Sequence, residues 1–95
     1  APEQIRGEAT TPATDIYAFG ATAYHLATGR PPFYRGNVID AHLKDPPTDP
    51  RETVPDLHPE LARIVLTCLE KTPGDRYQSA DELRDELRAL PERLT

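Results

Sequence analysis

The apolar residues of this 95-residue chain fall in blocks separated by proline and glycine. The longest stretch free of Asp, Glu, Lys and Arg runs from Ile16 to Gly29. Within it Ile16, Tyr17, Phe19, Ala21, Ala23, Tyr24 and Leu26 reach nearly every face of a helix, a pattern suited to the centre of a domain. The pattern predicts a helix ending at Thr28, with Thr11 as N-cap, Pro12 at the first helical position and Gly29 as the C-terminal stop. Pro31 and Pro32 prevent its resumption, and Phe33 and Tyr34 give the turn an apolar anchor. A short helix over Asn37 to Lys44 follows, then an extended segment held by Pro46, Pro47, Pro50 and Pro55.

Pro59 opens a further helix, in which Leu61, Ile64, Val65, Cys68 and Leu69 recur at the spacing of a buried stripe. Its N-cap is Asp56 or His58, and the residues do not choose between them. Ser79 followed by Glu82 has the form of a capping box, ahead of a narrow stripe of Leu83, Leu87 and Leu90. Asp81/Arg84 and Asp85/Arg88 are i, i+3 pairs on that helix, and Pro91 is expected to stop it. No strand pattern and no internal repeat emerges. The class is all-α, with about four to five helices.

Composition narrows the partners. A formal net charge of −5 offers no electrostatic footprint for nucleic acid or an anionic membrane. The Ile16–Gly29 stretch falls short of the roughly 18 apolar residues that a spanning helix needs, so no membrane segment is expected. A single cysteine, Cys68, forms no internal disulfide and lies on a packed stripe, where a structural thiol is the simpler reading than a nucleophile. His25, His42 and His58 lack the spacing of a metal site. Pro47-x-x-Pro50 fits a polyproline ligand pattern only as well as any proline-rich loop does. The eleven prolines, the absence of methionine and the Ala1 start are together expected of a piece of a longer chain.

Four motifs follow one another along the chain: Ala1-Pro2-Glu3, Asp15-Ile16-Tyr17-Ala18-Phe19-Gly20, Thr28-Gly29-Arg30-Pro31-Pro32-Phe33, and Cys68-Leu69-Glu70-Lys71-Thr72-Pro73-Gly74-Asp75-Arg76-Tyr77. In that order they resemble the bacterial Hanks-type serine/threonine protein kinases. The resemblance covers the whole chain but only the distal part of the helical C-terminal lobe of such a domain, from the A-P-E motif onward. It places the lobe at residues 1–90 and the start of a tail or linker at 91–95.

The resemblance implies roles for individual residues. Glu3 is similar to the A-P-E glutamate, and Arg76 to the arginine that pairs with it through a buried bidentate bond. The plainer alternative is an exposed acid and a solvated arginine. Asp15 resembles the aspartate that opens the central helix and accepts hydrogen bonds from the catalytic loop, although any carboxylate is favoured in a first helical turn. Gly20 resembles the glycine whose missing side chain lets another helix approach; alternatively it is a tolerated helical glycine costing about 1 kcal/mol against Ala.

Two positions depart from the family pattern. His25 stands where many members carry an acid that reads a basic substrate residue, which makes it a substrate-facing candidate and puts arginine-rich substrates in doubt. Thr22 stands where a larger apolar residue usually supports the adenine-side hydrophobic column. In the helix matching Asn37 to Lys44, Val38, Ile39 and His42 are candidates for docking partner kinases or substrates.

Phosphoryl transfer requires a loop over the ATP phosphates, a lysine on them, magnesium-holding acids and a catalytic aspartate. The chain has no G-x-G-x-x-G, V-A-I-K or D-F-G motif, and His42-Leu43-Lys44-Asp45 lacks the following asparagine of the catalytic loop. The resemblance therefore implies a parent that uses ATP and Mg, acts on Ser or Thr of protein substrates and has a cytoplasmic kinase domain; many family members are membrane-anchored. This segment would bind no cofactor and no metal itself, would have the rest of the kinase domain as its first partner, and would not catalyse alone. The alternative is a non-catalytic helical interaction module or a pseudokinase remnant.

Overall fold

The computed structural model describes the backbone of residues 1–94 and the side chains of residues 1–90. Six α-helices and one 3-10 turn make up the described fold: α1 Pro2–Ile5, α2 Pro12–Thr28, α3 Val38–Lys44, α4 Pro50–Thr53, α5 Pro59–Cys68, the 3-10 turn Pro73–Asp75, and α6 Ala80–Leu94. No strand occurs among the described residues. The molecule measures 42 × 29 × 17 Å, so its thinnest direction is less than two helix diameters.

Local chemistry sets the ends of the helices. Thr11 is the extended N-cap residue of α2, but the capping hydroxyl is that of Thr14, which accepts from the Thr11 N–H at 3.0 Å. Gly29 ends α2 at φ 79°, a left-handed conformation that a side chain would strain. Asn37 caps α3 by accepting from the Asp40 N–H at 3.0 Å. For α5 the cap is His58, whose Nδ1 accepts from the Glu60 N–H at 3.1 Å. At α6 the Ser79 hydroxyl accepts from the Glu82 N–H at 3.1 Å, while the Glu82 carboxylate accepts from the Gln78 N–H at 3.3 Å, one residue earlier than a capping box would have it.

Several expectations are revised. The proline segment is not wholly extended, because Asp49 accepts from the Arg51 N–H at 2.9 Å and Pro50 starts the single turn α4. Pro91 does not end α6, whose backbone continues to Leu94, and Thr95 lies outside the described residues. On α6 the pairing centres on Arg84, which lies 3.4 Å from Asp81 and 3.6 Å from Asp85.

Helix α2 packs chiefly on α5, and α6 closes over the same pair. One core cluster joins Ile16, Ile64, Cys68, Tyr77 and Leu83, with Leu87 and Leu90 against it. The other joins Tyr17, Tyr24, Val65 and Leu69, with Ala1 and Leu61 at its edge. The helices can approach because Gly20 has no side chain: a Cβ there would lie 2.6 Å from that of Cys68. Burial pushes the Cys68 thiol up to about 12. Helix α2 is not enclosed on every side, however, since Phe19 is 41% and Leu26 83% exposed.

Candidate functional site

The most heavily bonded side chain in the interior is Arg76, contributed by the segment between the 3-10 turn and α6. Its side chain is 0% exposed and that of its partner Glu3, on α1, is 4% exposed. The Nη1 atom donates to Glu3 Oε2 at 2.7 Å and Nη2 to Glu3 Oε1 at 2.9 Å, a two-pronged bond. Nη1 also donates to the Ala13 carbonyl at 3.0 Å, Nη2 to that of Lys71 at 3.2 Å, and Nε to that of Glu70 at 2.7 Å. Five N–H groups thus meet five acceptors, the condition under which a buried guanidinium is tolerated.

Glu3 is completed from a third element. The Thr14 hydroxyl on α2 donates to Glu3 Oε2 at 2.8 Å, and the carboxylate is held near pKa 2, chiefly by the hydrogen bonds from Arg76. The guanidinium also lies 4.8 Å from the centroid of the buried Tyr17 ring, an attractive cation–π arrangement. The N-terminal turn, the start of α2 and the segment from Glu70 to Arg76 are therefore joined at one point.

Beside this clamp lies an aromatic cluster. The Tyr17 hydroxyl is 2.7 Å from His42 Nδ1. Burial pushes Tyr17 up to about 12 and lowers His42, so burial favours the neutral form of both groups. Phe33 meets the His42 ring edge-on at 4.8 Å between centroids. Lys71 donates to the Ala41 carbonyl at 3.1 Å and lies 4.4 Å from the Phe33 centroid, tying α3 to the end of α5. His42 is consequently engaged inward.

Of the remaining candidates, Asp15 is exposed in the first turn of α2, Gly20 is buried at the α2–α5 crossing, and Thr22 and His25 are exposed further along α2. On α3 Ile39 is 63% exposed and Val38 half-buried, so neither joins the clamp. Sequence reasoning passed over Thr14, Tyr17 and Lys71. A hydroxyl three residues after a helix cap was the available signal for Thr14, whereas nothing in the local sequence marks Tyr17 or Lys71 as partners of the clamp and the aromatic cluster. Among the described residues no group of His, Cys, Asp or Glu is arranged to hold a metal ion, and no helix is long and apolar enough to cross a membrane.

The arrangement is a structural joint with no reacting group at its centre, and comparison with known proteins gives its context. The family model described as the protein kinase domain matches residues 1–87. A probable serine/threonine-protein kinase of Corynebacterium efficiens is 42% identical over 94% of this chain and 14% of its own length. The serine/threonine-protein kinase PknB of Mycolicibacterium smegmatis is 38% identical over 90% of the chain and 14% of its length, and a probable serine/threonine-protein kinase of Streptomyces coelicolor is 40% identical over 93% and 14%. The chain thus spans about one seventh of the length of these relatives.

Proposed function

The chain belongs to the protein kinase domain family, and from that premise we propose that it serves as the distal scaffold of a serine/threonine kinase catalytic domain. The parent transfers the γ-phosphoryl group of ATP, with Mg, to Ser or Thr hydroxyls of protein substrates in the cytoplasm. Residues 1–90 contribute α2 as the scaffold helix and α3 as a docking surface, on which Val38 and Ile39 are the outward-facing candidates. His25, at the end of α2, faces the substrate. The groups that hold nucleotide and metal, and the general base, belong to other parts of the parent.

The observation that carries this reading is the five-acceptor burial of Arg76 against Glu3. Removing such a partner from a buried pair costs on the order of 3–5 kcal/mol, far more than a surface pair is worth. A joint of that strength, on residues that the motif order had singled out, supports a role in holding the segment around Glu3 against the helical core. The functional part is tested by incubating the full-length protein and the 95-residue chain separately with γ-labelled ATP, Mg and a protein substrate. Label on Ser or Thr with the full-length protein, and none with the chain, is expected. Absence of both transfer and nucleotide binding in the full-length protein would contradict the kinase reading and favour a pseudokinase.

A further inference from the structure

The loop between α2 and α3 presents two arginines around one aromatic ring. The Arg30 guanidinium carbon is 5.3 Å and that of Arg35 5.2 Å from the centroid of Tyr34, and Arg30 Nη1 donates to the Tyr34 hydroxyl at 2.7 Å. Both arginines are exposed, and Tyr34 is 46% exposed. Among the described residues neither guanidinium is paired with a carboxylate, whereas Arg6, Arg63, Arg76 and Arg84 each are. The two cations share one aromatic ring in a chain of net charge −5, where acids outnumber bases.

The loop is also anchored at several points. Gly29 and Gly36 bracket it at φ 79° and 66°, Pro31 and Pro32 fix two further dihedrals, and Pro32 is buried. The Thr28 hydroxyl donates to the Arg30 carbonyl at 2.9 Å, and the Phe33 ring is anchored on His42. A loop already ordered loses little further freedom on binding. Tyr34 lines two hollows: one of about 70 Å³, shared with Arg30, Tyr24 and Thr48, and one of about 230 Å³, shared with Arg35, Phe33 and Asp45.

We propose that the Arg30–Tyr34–Arg35 face binds a carboxylate-rich segment of another protein. The guanidiniums, seated over the Tyr34 ring, take Glu or Asp side chains through their planar forks. Monoanionic carboxylates suit the site better than dianionic phosphates, because Asp45 lines one hollow and Asp49 and Glu52 act on Tyr24 beside the other. The inference does not depend on the parent's being a kinase.

The test is calorimetric titration of the full-length protein with hexaglutamate blocked at both ends, with blocked hexaglutamine, a doubly phosphorylated hexaserine and hexathymidylate as comparison probes. Saturable hexaglutamate binding is expected, at least tenfold tighter than that of each comparison probe and weakened between 50 and 200 mM salt. An Arg30→Gln/Arg35→Gln variant should lose at least tenfold. Arg30→Lys/Arg35→Lys should retain part of the affinity, and Arg84→Gln/Arg88→Gln, with the same change in net charge, should retain all of it. The proposal is overturned by absent binding, by equal losses in the two glutamine variants, or by tighter binding of the phosphopeptide or the oligonucleotide.

Discussion

Arg76 owes its place in the interior to a complete set of acceptors, and Glu3 to the donors that Arg76 and Thr14 provide. The carboxyl group is lowered from 4.5 to about 2, so its contribution to stability is fully present above pH 4.5 and is lost as the pH falls toward 2. A shift of that size corresponds to about 3 kcal/mol. Denaturant unfolding of the wild type should therefore lose stability relative to Glu3→Gln across that window, with the gap between them closing by about 3 kcal/mol; a constant gap would contradict the buried ionised pair. Arg76→Lys should also destabilise, since an ammonium has three donors for five acceptors. Thr14→Val, which removes one donor to Glu3, should cost about 1–2 kcal/mol on the same assay. How much of this was legible differs by residue. Seventy-three positions separate Glu3 from Arg76, and no spacing rule joins them; only the order of motifs suggested the pair. The backbone acceptors of Arg76 at Ala13, Glu70 and Lys71 were illegible, because carbonyl direction is fixed by the tertiary path and not by residue type.

At the scale of elements, the long helices were legible and the single turns were not. α2 and α5 carry proline starts, α5 and α6 an apolar stripe, and all three a cap residue, whereas α1 and α4 span four residues each and carry no period. α4 had its start signal in Asp49-Pro50, which the surrounding prolines masked. Pro91 misled because α6 runs through it to Leu94, although a proline removes one helical N–H and disfavours helical conformation at the residue before it. The α2–α5 crossing gives the sharpest test of packing at this level. Gly20→Ala would place a Cβ 2.6 Å from the Cβ of Cys68, between two helix backbones that cannot both retain their positions. A loss of about 1–3 kcal/mol in unfolding free energy is expected, as for other overpacked interiors. Gly29→Ala meets no neighbour within 4 Å and should cost about 1 kcal/mol through its positive φ alone. No measurable loss at Gly20 would contradict the close crossing.

For the molecule as a whole, the thin shape and the open flank of α2 have one consequence. Phe19 and Leu26 face outward from a helix whose other side is core, and the remainder of a kinase domain would cover them. The 95-residue chain in isolation should therefore bind a hydrophobic dye such as anilinonaphthalene sulfonate or self-associate, and the full-length protein should do neither; Phe19→Ser/Leu26→Ser should abolish the dye signal of the isolated chain. Cys68, on α5, reports on the crossing with α2 at Gly20. With its thiol pushed up to about 12 and no exposed surface, it should resist an aromatic disulfide reagent until the domain unfolds. What makes these parts one scaffold is the clamp, and the most direct measurement is a double-mutant cycle on unfolding free energy in the full-length protein, using Glu3→Ala, Arg76→Ala and the pair. Each single substitution should cost on the order of 3–5 kcal/mol, and the double little more than either alone, because the second change removes a group that is already stranded. Additive losses would mean that Glu3 and Arg76 act independently, and would contradict the clamp.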